Sequence, residues 1–296
     1  MTESARVESM SEASSSGASD ATAGSEPLET GLRVRAVQFA PLADAAVNAD
    51  TVSAQIAEAA TSGVQLVVFP EYSSYFANPV DGRMVAAAQD LDGPFLRDVR
   101  AAAARSGIHV VVGLVEAHQD GDRFSNTLVA VDASGEIVAT YRKQHLYDAF
   151  GQRESEWVEP GPLEAPQTFE VGPFRVGLQT CYDIRFPEVS RRLIDAAVDV
   201  LVVPAEWVPG PGKEDQWMTL LRARAIENTA FVLAADHPRP TGVGLSVLVD
   251  PAGVVLAELG DDAGVVDATL DRAELDAVRR RNPALELRRY RVVPGE

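Results

Sequence analysis

A chain of 296 residues with 46% hydrophobic content can hold one large domain or two, with a sizeable core. Its 26 basic and 44 acidic residues leave a net charge of −18, which repels phosphate backbones and anionic lipid, so no nucleic-acid and no membrane partner is expected. A single cysteine excludes an intrachain disulfide, no apolar run reaches the roughly 20 residues of a membrane span, and the start MTESARVESM lacks the basic and apolar regions of a signal peptide; a cytoplasmic protein is expected.

Residues 1–30 contain eight serines, six acids and no aromatic residue, a composition that predicts a disordered acidic tail. From Gly31 the pattern changes to short apolar runs alternating with helical stretches. LRVRAVQFA reads as a strand, Asn48 to Thr61 as a helix, VQLVVFPE as a strand, Phe95 to Ser106 as a helix and IHVVVGLVE as a strand. NTLVAVDASGEIVATYRK reads as a hairpin turning at Ala133-Ser134-Gly135. Then come the strand FRVGLQTCYD, a helix from Pro187 to Ala197, the strand VDVLVVPAEW, a helix from Lys213 to Asn228 and the strand TAFVLAAD. A second hairpin, LSVLVDPAGVVLAEL, turns at Pro251-Ala252-Gly253. Several strands are apolar on both faces, as in a sheet covered on both sides. The whole predicts one α/β domain over residues 31–296, with mixed sheets inside and helices outside. In the helix from Lys213, the residues Trp217, Leu220, Leu221, Ala223 and Ala225 form a packing stripe that leaves Arg222 and Arg224 on other faces.

Layered sheets present chemistry beyond the carboxyl ends of their strands. Three such ends carry Glu71, Lys143 and Cys181. Each alone has an ordinary reading: a solvated turn acid, an edge-strand lysine, a packed small hydrophobe. Together they make a complete acyl-transfer set, with a thiol to attack, a carboxylate to take its proton and an ammonium to stabilise the negative oxygen. A free thiol has a pKa near 8.5 and needs such neighbours at neutral pH. The four histidines, His109, His118, His145 and His237, show no ligand spacing, and there is no Gly-rich phosphate loop, so neither metal nor cofactor is expected. His145 reads as packing or as support for Lys143.

The ordered stretches VFPEYSSY, YRKQHLYD and CYDIRFPEVSR resemble the carbon–nitrogen hydrolase (nitrilase) superfamily, and the likeness runs over residues 32–291. ESEWVEPG, WMTLLRARAIENTAFVLAA and GVGLSVLVDPAGVVLAEL fit it as well. The resemblance implies a four-layer α-β-β-α sandwich with a Glu-Lys-Cys triad: Cys181 as nucleophile, Glu71 as general base and Lys143 as stabiliser of the tetrahedral intermediate. The backbone N–H of Tyr182 is then the second oxyanion donor. Glu154 stands where the family often has a second glutamate that positions the lysine and the substrate, with Glu156 two residues on. True nitrilases usually carry Trp-Glu after the cysteine; Tyr182-Asp183 here is similar to the amidase branches near omega-amidases and deaminated-glutathione amidases. That implies hydrolysis of a small linear amide to carboxylate and ammonia through a thioester.

Rival readings are an N-carbamoyl amino acid or ureide amidohydrolase on the same triad, a non-catalytic member of the fold, and a Cys-His hydrolase using His237. Arg185 is read either as a contact for a substrate carboxylate or as a structural ion pair with Asp183 or Glu188. Tyr72, Tyr75 and Trp207 line a pocket or pack a core. Family members are commonly joined near helices such as Lys213 to Asn228, which implies a homodimer or larger homo-oligomer.

Overall fold

Two six-stranded sheets lie face to face in the computed structural model, which describes residues 31–118 and 121–295. The acidic segment 1–30 lies outside the described residues. The first half of the chain supplies β1 (Gly31–Gln38), α1 (Ala45–Thr61), β2 (Leu66–Val68), α2 (Gly82–Ala87), α3 (Pro94–Ser106), β3 (His109–Ala117), β4 (Phe124–Val131) and β5 (Ile137–Arg142). The second supplies β6 (Thr168–Val171), β7 (Phe174–Leu178), α4 (Pro187–Asp195), β8 (Val200–Pro204), α5 (Lys213–Asn228), β9 (Phe231–Ala235), β10 (Val247–Val249), β11 (Val255–Glu258), β12 (Gly264–Asp271) and α6 (Arg272–Arg281).

The strand orders are β12-β1-β2-β3-β4-β5 and β11-β10-β9-β8-β7-β6. Each sheet is parallel at its centre and antiparallel at its edges. The double-sided burial of the strands explains their unbroken apolar runs. In β2, Leu66 and Val68 face the core between the sheets, with Phe174, Val176 and Leu178 of β7, while Val67 faces α1 and α3. A third apolar cluster joins α4 and α5 to the outer face of the second sheet. This is the four-layer α-β-β-α sandwich that the resemblance implied.

Local chemistry sets the element ends. Helix α1 begins three residues before the predicted Asn48 because Asp44 Oδ1 accepts hydrogen bonds from the N–H groups of Ala46 and Val47. Pro94 opens α3, where its missing N–H costs nothing. Both predicted hairpins form, and each turn is held by an aspartate at its start. Asp132 accepts from the N–H groups of Ser134 and Glu136, and Asp250 from those of Ala252 and Val254. Strands β6 and β12 and helices α2 and α6 were not anticipated; β12 pairs with β1 at the far end of the chain, a contact no local pattern announces.

Helix α5 corrects one expectation. Trp217, Leu221 and Ala225 are buried, Arg222 is exposed, but Arg224 is buried too, with its guanidinium on Ile184 O and Glu227. The apolar stripe therefore packs on its own sheet and is spent within the chain.

Strand β5 is parallel to β2, through two successive antiparallel pairings, so both release the chain at the same end of the sandwich. The segment after β2 rests directly on β3. A Cβ on Gly113 would stand 2.5 Å from Tyr72 N and 2.7 Å from Pro70 O, so only glycine fits beneath Glu71. Asn48 secures the same segment from the other side. It is 1% exposed, its amide donates to Leu42 O at 2.8 Å and Ser74 O at 3.1 Å, and its Oδ1 accepts from Leu42 N at 2.8 Å. Replacing it by leucine removes all three bonds and leaves the buried Ser74 O without this donor, while Leu42 is exposed and its O still accepts from Phe76 N. Asn48→Leu is expected to lower stability by about 1–3 kcal/mol in urea unfolding.

Candidate active site

Four strand ends converge. Glu71 follows β2, Lys143 follows β5, Cys181 follows β7 and Glu206 follows β8. All four line one cavity of about 280 Å3, together with Tyr72 and Glu154. A larger cleft, about 380 Å3, lies between residues 163–167 and the C-terminal 291–295 and holds none of these groups.

Lys143 is 2% exposed, and its Nζ lies 2.9 Å from Glu71 Oε1 and 3.0 Å from Glu154 Oε1. Asn126, fully buried in β4, donates one amide to both carboxylates, at 2.6 Å and 3.1 Å. Glu154 also accepts from Tyr72 Oη and from Tyr147 N, each at 2.6 Å. The second oxygen of Glu71 accepts from Glu206 N at 2.7 Å. Glu154, not Glu156, is thus the carboxylate bound to Lys143.

Burial acts on every charge here, and the neighbours decide the balance. It raises the pKa of Glu71 above the usual carboxylate range, with Glu154 adding to it against the pull of Lys143. Burial works against the charge on Glu154 as well, but Lys143 and the Tyr72 hydroxyl outweigh it and hold its pKa low. For Lys143, burial is overcome by Glu154 and Glu71, so the ammonium is held well above its ordinary pKa. Burial, reinforced by the Glu71 charge and only partly offset by Lys143, pushes the Cys181 thiol well up.

Cys181 opens a 3-10 turn, Cys181–Arg185, with φ +45°. That left-handed conformation is strained for a side-chain-bearing residue and is characteristic of functional turns. Its Sγ lies 3.5 Å from Glu206 O. Asp183, with no exposure, ties this turn to the end of β5. It accepts from Thr180 N at 3.1 Å, Tyr141 Oη at 2.7 Å and His145 Nδ1 at 2.9 Å. His145 stacks on Phe186 with ring centroids 3.8 Å apart, the packing place expected of it, and the residue it supports is Asp183.

Other sequence-predicted residues fall as follows. Tyr72 lines the cavity and holds Glu154. Tyr75 is not among the residues lining it, and packs instead on the apolar cluster of Met84 and Phe124. Arg185 makes neither of the ion pairs considered, because Asp183 is already used; its Nη2 donates to Gln216 Oε1 at 2.7 Å and its guanidinium lies 4.8 Å from the centre of the Trp207 ring. Trp207 is buried, and its indole N–H donates to Lys213 O at 2.9 Å. Asn126, Glu206, Tyr147 and Lys213 were not anticipated. Two of them carried a legible signal: Asn126 is a polar residue in a fully buried strand, and Glu206 is a fourth polar residue just past a strand end. Among the described residues no three His, Cys, Asp or Glu side chains converge as a metal site requires, and no helix is long and apolar enough to cross a membrane.

His237 serves the backbone and not the thiol. Its Nε2 donates to Glu71 O at 2.7 Å, its ring meets Phe76 edge-on at 4.9 Å, and its Nδ1 is buried without a partner. The Cys-His alternative therefore has no geometry behind it.

The four-layer sandwich is the fold that the resemblance of the sequence motifs implied. The carbon–nitrogen hydrolase family profile matches residues 33–280, and the chain belongs to that family. It is 41% identical over 221 residues to a Mycobacterium tuberculosis protein named as a hydrolase, covering 73% of this chain and 77% of that one. It is 37% identical over 259 residues to the deaminated glutathione amidase of Escherichia coli O157:H7, covering 88% and 98%. Among solved structures it is similar to a double mutant of the amidase from Nesterenkonia sp. AN1 in complex with acrylamide, with TM-score 0.74, 27% identity, and 89% and 98% coverage. The likeness to the deaminated-glutathione amidase branch read from Tyr182-Asp183 agrees with these relatives.

Burial lowers the pKa of His237 from 6.5 to about 4. Between those values the unfolded chain binds a proton that the native chain refuses, so this residue's contribution to stability is full above pH 6.5 and is lost as pH falls toward 4. The loss amounts to about 3 kcal/mol. Urea unfolding of the wild type and His237→Gln at a series of pH values is expected to show the two stabilities approaching each other by that amount from pH 7 to 4.

Proposed function

We propose that this chain hydrolyses the C–N bond of a small linear amide, using Glu71, Lys143 and Cys181 and passing through a thioester on Cys181. The observation that carries the reading is the pair of contacts from Lys143 Nζ to Glu71 and Glu154 at the floor of a cavity that Cys181 also lines. The names of two relatives, a deaminated glutathione amidase and an amidase in complex with acrylamide, support an amide as substrate.

Glu71 takes the thiol proton as sulfur attacks the carbonyl carbon. The transfer moves a proton within the cluster and leaves its net charge unchanged, so the desolvation that raises both pKa values opposes neither direction strongly. The electron pair of the C=O bond moves to oxygen, where the Lys143 ammonium and the N–H of Tyr182 stabilise it. Tyr182 is the second residue of the 3-10 turn, so its N–H has no acceptor within the turn. Collapse breaks the C–N bond, and the Glu71 acid gives its proton to the leaving nitrogen, releasing ammonia. Water then gives a proton to Glu71 and attacks the thioester. The second oxyanion collapses, the C–S bond breaks, and Glu71 returns the proton to sulfur. One amide and one water have become one carboxylic acid and one ammonia.

Glu154 keeps Lys143 charged and pointed at the oxyanion; Asn126 keeps the two carboxylates apart. A homo-oligomer of at least two copies belongs to this reading, and a monomer mass by light scattering would remove that part alone.

Ammonia release from a panel of short amides, nitriles and N-carbamoyl amino acids tests the reading. Amide turnover that falls at least about 10^4-fold in Cys181→Ala, from loss of the covalent route, is expected. Turnover confined to carbamoyl compounds, or unchanged by the substitution, would contradict it.

A further inference from the structure

Glu206 is the carboxyl of the active-site cavity that the proposed hydrolysis does not use. Its backbone is fixed between the reacting groups: the N–H donates to Glu71 Oε2 at 2.7 Å, and the carbonyl oxygen lies 3.5 Å from Cys181 Sγ. The residue lines the same cavity of about 280 Å3 as Cys181 and Lys143. Among the described residues no hydrogen bond and no ion pair reaches its carboxyl, whereas Glu71 and Glu154 share Lys143. A backbone held this close to the nucleophile keeps the carboxyl beside the space where a substrate's acyl chain must lie.

The surroundings of that carboxyl suit a cation. Burial, with Glu71, Asp236 and Glu154 nearby, holds the pKa of Glu206 well up against the pull of Lys143. The field that resists a negative charge there attracts a positive one. Tyr72, Tyr147 and Trp157 line the same cavity, and aromatic rings favour an ammonium that has left water. The chain's own cations do not fill the place. Lys143 is engaged by Glu71 and Glu154, and Arg153 lines the cavity from an exposed position. Lys213 rests on the Tyr147 phenol at 2.9 Å and meets Glu206 only across a narrow recess beside Cys181, where no ion pair joins them. A methyl group set against the Glu206 carboxyl would strip it of water and return no bond, so an apolar acyl chain is disfavoured here.

We infer that the Glu206 carboxyl pairs with an amine on the acyl chain of the substrate, so that the amide this chain cleaves carries an ammonium besides its scissile bond. The inference rests on the proposed amide hydrolysis and names its substrate class. The ammonium meets Glu206 as a carboxylate, and the proton it displaces passes to solvent. Among aromatic rings and out of water, that charge-assisted hydrogen bond is stronger than in solution. It also holds the amide carbonyl over Cys181 in one orientation, which an apolar amide of the same shape lacks.

The experiment compares glycinamide with propanamide, β-alaninamide with butanamide, and 4-aminobutanamide with pentanamide; in each pair a methyl group replaces the ammonium. The wild type is expected to favour the amine in at least one pair by about 10- to 100-fold in kcat/KM, and the chain length at which it does so gives the reach of Glu206. Glu206→Ala is expected to erase the ratio from both sides, losing the amine and gaining the apolar amide. Glu206→Gln keeps the shape without the charge and is expected to lose most of the ratio, chiefly through KM. No preference for the amine in any pair, a Glu206→Ala protein that loses both members equally, or a ratio unchanged in Glu206→Gln would overturn the inference. If no amide is cleaved, the proposed hydrolysis fails, and calorimetry with the three amino amides still decides the present point. Binding lost in Glu206→Gln, with a cooperative thermal melt retained, supports an amine site; no binding to the wild type, or binding that survives the substitution, would overturn it.

Discussion

A lysine ammonium buried between two glutamates is the constraint on which the rest of this structure depends. Lys143, Glu71 and Glu154 are all taken out of water, and the energy lost in doing so is several kcal/mol for each ion. It is recovered only because the contacts are short and nearly every remaining lone pair has a donor: Asn126, Tyr72, the N–H of Tyr147 and the N–H of Glu206. Two negative charges against one positive leave the cluster anionic. Burial and that residual charge together raise the pKa of Glu71 and of the neighbouring Cys181 thiol. The cluster is thus poised by its own imbalance.

The sandwich serves this cluster by bringing strand ends from two sheets to one place. Neither sheet alone holds the site: Glu71 and Lys143 come from the first, Cys181 and Glu206 from the second. Cross-links between the sheets therefore carry as much of the geometry as the charged contacts do. Asp183 joins the cysteine turn to Tyr141 and His145, and His237 reaches from beyond β9 to the carbonyl of Glu71. Gly113 and Asn48 hold the Glu71 segment from below and behind. The strain at Cys181 persists because this framework over-determines it.

Much of this was legible in the sequence because it is local. Strand ends, both hairpins, α5 to the residue and the three chemical side chains follow from apolar periodicity and from polar residues placed where apolar runs stop. What escaped was tertiary. Asp183 sits two residues from Cys181 and beside Arg185, so the chain suggests a pair between neighbours; the fold instead points it at Tyr141, 42 residues away. Arg224 reads as a surface residue on a helix and is buried because a carbonyl of the cysteine turn, Ile184 O, waits for it. Lys213 looked like the opening of an amphipathic helix, and only the rings around it, drawn from residues 147, 150 and 207, reveal a cation without an acid.

The central claim is that Glu71 and Cys181 share one proton under the field of Lys143. The pH dependence of Cys181 alkylation by iodoacetamide, in the wild type and in Glu71→Gln, tests it most directly. Removing the Glu71 charge leaves the lysine's attraction for a thiolate less opposed, so the account predicts that the alkylation midpoint moves to lower pH in the variant even as amide hydrolysis is lost. A midpoint that stays in place or rises, or a variant that still hydrolyses amides at the wild-type rate, would contradict it.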